Sequence, residues 1–172
     1  MALTSTQIGA IGENLLINAV MVASGGRLAP FQPAADDDGL DVLFFDKLTG
    51  RAIAVQLKCR TVALYKPGTT ERGNLVHFEV RKSTFNDARR AFLVAALLDD
   101  TLTRFAATWF VPMGELPLVA RSSGEKWVMR ASKAEKCADR ARPYRCASVQ
   151  GLAQQIIDLC EEEVSILPGA AA

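Results

Sequence analysis

The chain has 172 residues, 49% hydrophobic and 23% charged, with 20 Lys/Arg against 19 Asp/Glu for a formal net charge of +1. That size and apolar content fit one globular domain that buries its own core, and exclude a disordered chain. The four cysteines, Cys59, Cys137, Cys146 and Cys160, form no Cys-x-x-Cys pair and have no histidine close in sequence, which argues against a structural zinc site or a disulfide framework and for free thiols in a reducing cytoplasm.

The N-terminal apolar stretch lacks a basic lead-in and is interrupted by Glu13, Asn14 and Asn18, so no signal peptide or membrane span is expected. Thr4-x-x-Gln7 is a capping box that predicts a helix over 5–23. Ile8, Ile11, Leu15, Leu16, Ala19, Val22 and Ala23 form its apolar stripe. Gly9 and Gly12 lie on or beside that stripe at a cost in helix propensity, which implies close approach to a sheet or a substrate. Glu13 sits at the stripe's edge, about 60° from Leu16. Gly25-Gly26 ends the helix, a Pro-containing connector follows, and Asp36-Asp37-Asp38 leads into a first strand over 40–45.

A second strand is expected over 52–58, with Ile53, Val55 and Leu57 on one face. Lys47-Leu48-Thr49-Gly50 reads as a four-residue hairpin loop, its glycine suited to a positive φ. That loop pairs Asp46 with Arg51 and, counting back, sets Asp41 opposite Gln56. Directly opposed residues share a face, as do Gln56 and Lys58 two positions apart. Asp41, Gln56 and Lys58 are therefore expected to converge.

Residues 61–73, with Tyr65-Lys66-Pro67-Gly68 and Gly73, read as a mobile surface loop. Val76, Phe78 and Val80 alternate with His77, Glu79 and Arg81 in a third strand, where His77 reads as a half-buried polar residue rather than a catalyst. Thr84-x-x-Asp87 is expected to cap a short helix carrying Arg89 and Arg90. Residues 91–98 are continuously apolar, as in a strand covered on both faces. A further strand runs from Phe105 to Val111, and a hairpin around Ser122-Ser123-Gly124 returns through Trp127 and Met129. Residues 130–145, with Arg140, Arg142, Tyr144 and Arg145, read as a DNA-contacting segment. Ser148 caps a last helix that buries Leu152, Ile156, Leu159 and Cys160. The expected architecture is α/β, a central mixed sheet flanked by the first and last helices, in a single domain over 1–167 with a disordered tail over 168–172.

Charge is unevenly distributed. Residues 1–50 carry two Lys/Arg against six Asp/Glu, residues 51–90 nine against three, and residues 121–145 eight against three. An acidic stretch beside two basic ones suits carboxylates for a metal and cations for a phosphate backbone.

Asp41, then a hairpin, then Gln56-x-Lys58, behind a helix bearing Glu13, resembles the PD-(D/E)XK, or restriction-endonuclease-like, nuclease superfamily. The run Asp38-Gly39-Leu40-Asp41 … Val55-Gln56-Leu57-Lys58-Cys59-Arg60 is most similar to Mrr-like restriction nucleases and relatives of the archaeal Holliday-junction resolvases. Leu40 rather than Pro precedes Asp41, and Gln56 stands where most members carry an acid. The resemblance implies a restriction-endonuclease-like fold and a Mg²⁺-dependent (or Mn²⁺-dependent) DNA endonuclease. Asp41, the Gln56 side-chain oxygen, the Leu57 backbone carbonyl and Glu13 would serve the metal, with Asp38 a candidate for a second ion. Lys58 would orient the attacking water. DNA contacts are expected from Arg60, Lys66, Arg89, Arg90, Arg140, Arg142 and Arg145, and a homodimer would serve to cut both strands. The alternative is a catalytically inactive DNA-binding or assembly module that keeps the fold.

Overall fold

A computed structural model of the protein describes residues 3–35, 39–85 and 90–162. Helix α1 (Ser5–Ala23) opens on the expected capping box: Thr4 Oγ1 accepts the Gln7 N–H, and Gln7 Oε1 accepts the Thr4 N–H. Strands β1 (Leu28–Phe31), β2 (Val42–Asp46) and β3 (Arg51–Arg60) form an antiparallel meander. Asp46 pairs with Arg51, as the hairpin predicts. Gly50 takes φ 71° in the loop. β2 begins at Val42 rather than at residue 40.

β4 (Leu75–Arg81) follows, then β5 (Ala91–Leu98), β6 (Phe105–Pro112), the short helix α2 (Leu116–Val119), β7 (Ala120–Ser123), β8 (Lys126–Ser132), β9 (Arg145–Cys146) and α3 (Val149–Glu162). The main sheet is six-stranded in the order β1-β2-β3-β5-β6-β9. It is mixed, because β3 pairs parallel with β5 while its other pairings are antiparallel. Parallel neighbours need a long crossover. Here the crossover carries a strand: β4 leaves the main sheet and joins a second one, ordered β4-β8-β7.

Alternation along β3 sorts the core into two. Ile53, Val55, Leu57 and Cys59 face α1 and α3 with Leu16, Val20, Leu152 and Ile156. On the opposite face, Leu93, Ala95, Trp109 and Val111 meet Val76, Phe78 and Val80 of β4 and Met129 and Ala131 of β8. All of β5 is buried, since both its faces are covered. Both long helices thus lie on one side of the sheet, and the other side is closed by the second sheet. The sequence pattern identified most of the strands, but it took β1 for part of a connector, gave no strand at β9 and did not show this division.

The capped helix expected after Thr84 falls partly on residues 86–89 and the tail on 163–172, all outside the described residues. Residues 82–84 form a single 3₁₀ turn. Residues 61–74 are not a plain loop: Tyr65 and Arg72 form an isolated antiparallel bridge, with the Arg72 guanidinium 3.7 Å above the Tyr65 ring. Among the described residues, no helix is long and apolar enough to cross a membrane.

Candidate active site

β3 runs on through residues 56–60 after β2 has ended. The edge left open is closed by Asp41. Its N–H donates to the Val55 carbonyl, and its carboxylate Oδ2 accepts the Leu57 N–H at 2.5 Å. A side chain here replaces the backbone acceptor that another strand residue would offer, which is why the ladder stops at Val42. In a strand the N–H and C=O of one residue project to the same side, so the Leu57 carbonyl also faces this edge.

Gln56, Lys58 and Arg60 project from the opposite face of β3 to Leu57 and Cys59. They line a cleft of about 650 Å³ together with Ser5, Gly39, Glu79, Arg81, Ser83, Thr84 and Lys126. One wall is β3, and the other is the open edge of the second sheet. Arg60 ties the two: its Nε donates to the His77 carbonyl of β4 at 2.9 Å. Lys126 Nζ donates to Glu79 Oε2 at 2.6 Å, and His77 Nε2 lies 3.1 Å from Glu79 Oε1. These two partners, Lys126 first, hold the Glu79 carboxyl below its ordinary range. Four cations against one carboxylate leave the cleft positive, which suits a phosphate backbone.

Gln56 is 2% exposed. Its Nε2 donates to Thr84 Oγ1 at 3.4 Å, while its Oε1 is buried with no hydrogen-bond partner. Among the described residues, two other buried side-chain atoms share that condition, both of them Trp N–H donors. Gln56 Oε1 is therefore the buried acceptor left over, and a buried acceptor without a donor is costly unless a ligand satisfies it.

Glu13 stands on the other face. A Cβ built at its neighbour Gly12 would lie 2.2 Å from Cys59 Sγ, so α1 rests directly on β3 at this point. The close approach read from Gly12 is present; Gly9 has nothing within 4 Å. Burial, then the Glu13 and Asp41 carboxylates, push the Cys59 thiol up to about 12. Both acids therefore act on one buried atom of β3. Neither lines the cleft itself. The predicted group thus divides: Gln56 and Lys58 share the cleft, while Asp41 and Glu13 flank the same stretch of strand at its edge and from its helix side.

Among the described residues, no three His, Cys, Asp or Glu side chains gather as a metal site. A donor set of two carboxylates, the partnerless Gln56 oxygen and a backbone carbonyl nonetheless fits an oxygen-seeking cation that keeps much of its water. Cys59, Cys146 and Cys160 do not fit a nucleophile's role, since all three are buried with their thiols raised, Cys146 to about 11.

Lys66, Arg90, Arg140, Arg142 and Arg145 do not line the cleft. Arg90 Nη2 donates to the Leu159 carbonyl at the end of α3, so this residue secures a helix terminus. Lys66 pairs with Glu71 on the exposed Tyr65–Arg72 turn. Arg89 and Asp38 lie outside the described residues. Arg142 and Arg145 line a separate cavity of about 440 Å³ beside β9, three strand spacings, or about 14 Å, from β3. Arg145 is also structural, its guanidinium 6.0 Å from the Trp109 ring centroid and donating to the Ser132 carbonyl. Arg140 is exposed in the same segment. Sequence inspection missed Gly39, Arg81, Thr84 and Lys126 as cleft residues, although the Asp-Gly-Leu-Asp run placed Gly39 beside the motif.

No family model matches the chain. No curated protein matches it either. Among solved structures, the bacterial homing endonuclease I-Ssp6803I superposes with a TM-score of 0.62 over 95% of this chain and 99% of its own, at 16% sequence identity. The chain thus shares the fold of that structure: a mixed central sheet with flanking helices.

Proposed function

We propose that the protein is a metal-dependent endonuclease that hydrolyses DNA phosphodiester bonds, of the PD-(D/E)XK type and its Gln-x-Lys, Mrr-like or resolvase-like branch. The observation that carries this is the buried, partnerless Gln56 oxygen, one residue from the Leu57 N–H that tethers Asp41, at the wall of a positive cleft. Asp41, Gln56 Oε1 and the Leu57 carbonyl would hold Mg²⁺ or Mn²⁺, with Glu13 approaching from α1. When bound, such an ion draws charge from phosphate oxygens and makes water a stronger nucleophile.

The chain's own residues supply the rest. Lys58 enters the cleft two residues beyond Gln56 on the same face, where its ammonium orients the attacking water and offsets the charge that builds on the phosphate. Arg81 and Lys126, across the cleft, hold the neighbouring backbone phosphates. One chain carries one such site, so it would nick; cutting both strands would take two chains.

The test is nicking of supercoiled plasmid in Mg²⁺ or Mn²⁺ against EDTA, by wild type and Lys58→Ala. Metal-dependent nicking by wild type, reduced at least about 100-fold in the variant, is expected. DNA binding without nicking under any metal would replace this account with a non-cutting module of the same fold.

A further inference from the structure

We infer that Thr84 is a positioning residue that fixes the Gln56 amide so that its oxygen, and not its nitrogen, is presented to a cation. The inference rests on the metal-site assignment proposed above. A hydroxyl carries one proton. Thr84 Oγ1 donates to the Arg81 carbonyl at 3.1 Å. It therefore meets Gln56 as an acceptor, and the group it faces is Nε2, at 3.4 Å. A flipped amide would set two oxygens against each other, or would cost the Arg81 contact. The orientation of Gln56 thus follows from where the Thr84 proton goes.

Gly39 completes the collar. It is buried with φ 68°, and a Cβ there would lie 2.6 Å from Thr84 Cβ and 2.7 Å from Gln56 Nε2. Backbone packed this closely leaves the amide little room to rotate. Thr84 itself is anchored by the turn that follows β4 and by Phe85, whose ring is 5.8 Å from Trp127 of β8. The second sheet, which carries no proposed ligand, thereby sets the geometry of one on β3. A carboxylate at position 56 would need no such device, because its two oxygens are equivalent. The Thr84 contact belongs to the amide.

That dependence supplies the test. Mn²⁺ binding is measured by titration calorimetry on wild type, Thr84→Val, Gln56→Glu and the double variant, with Thr84→Ser as rescue. Loss of an outer partner of a metal ligand weakens metal binding by about 10-fold or more. Thr84→Val should show that loss in the wild-type background and less than about 2-fold in the Gln56→Glu background, while Thr84→Ser binds like wild type. Equal losses in both backgrounds, or none in either, overturn the positioning role. If circular dichroism shows Thr84→Val unfolded, Thr84→Ala is compared across the same two backgrounds. Failure of the underlying assignment is separately visible: a wild type that takes up no Mn²⁺, or a Gln56→Ala variant that titrates like wild type, removes Gln56 as a ligand and this role with it.

Discussion

Gly12 of α1 and Cys59 of β3 pack with no space for a side chain between them; a Cβ on Gly12 would stand 2.2 Å from the thiol sulfur. That contact brings Glu13 to the strand bearing Gln56 and Lys58. Alanine at position 12 gains about 1 kcal/mol of helix propensity. It should nevertheless destabilise the protein by about 1–3 kcal/mol, because helix and sheet must separate. Cys59→Ala should restore part of the loss in the double variant. Gly9, with open space around it, should respond oppositely, Gly9→Ala gaining up to about 1 kcal/mol. Denaturant midpoints check all of these. A Gly12→Ala protein as stable as wild type would show that α1 does not pack as described.

Asp46 offers a prediction about acid. The Arg27 guanidinium grips it through Nε and Nη2 at 2.8 and 2.7 Å, and the Leu48 N–H and Thr49 hydroxyl also donate to it. Led by Arg27, these donors hold its carboxyl well below the usual carboxylate range against the cost of burial. A depressed folded-state pKa contributes stability that is complete above the unfolded value of about 3.9 and is lost as pH falls toward the folded one. Asp46→Ala should cost about 3 kcal/mol at pH 7, and its gap from wild type should narrow steadily below about pH 4. Unfolding titrations at several pH values measure this, and a gap constant down to the acid limit would argue against the ion pair.

How much was legible depended on whether a signal was local. The Thr4–Gln7 box, the hairpin from Asp46 to Arg51 and the buried run of β5 each depend on neighbours in sequence, and each formed as expected. The alternation of β4 announced a strand but could not say which sheet it would join. Its placement follows from pairing with β8, about fifty residues onward. Thr84 looked like a helix cap because its sequence neighbours suggest one, whereas its contact with Gln56 spans 28 positions. Arg145 looked like a phosphate ligand by composition, and only the fold puts Trp109 beneath it. The Asp41 carboxylate was expected on the same face as Gln56 and Lys58; it instead turns into the sheet edge to take the Leu57 N–H.

The placement of the cations separates two sets. Arg81 and Lys126 line the cleft, while Arg140 and Arg142 belong to the segment beside β9. If DNA lies along the cleft, Arg81→Ala/Lys126→Ala should weaken binding and flatten the log K against log salt slope by about two. Arg140→Ala/Arg142→Ala should alter both less. Fluorescence anisotropy with duplex DNA at several salt concentrations gives both quantities. A reversed ranking would move the DNA path to the β9 side.

Asp41 gives the most direct test of the central claim. Asp41→Ala would orphan the Leu57 N–H and lower stability by about 1–2 kcal/mol, which would blur any loss of activity. Asp41→Asn keeps an oxygen acceptor for that N–H and removes only the charge. Plasmid nicking by Asp41→Asn in Mg²⁺, beside wild type and with matched thermal unfolding, is the decisive measurement. The account predicts an unchanged fold and nicking reduced at least about 100-fold; nicking at the wild-type rate would contradict it.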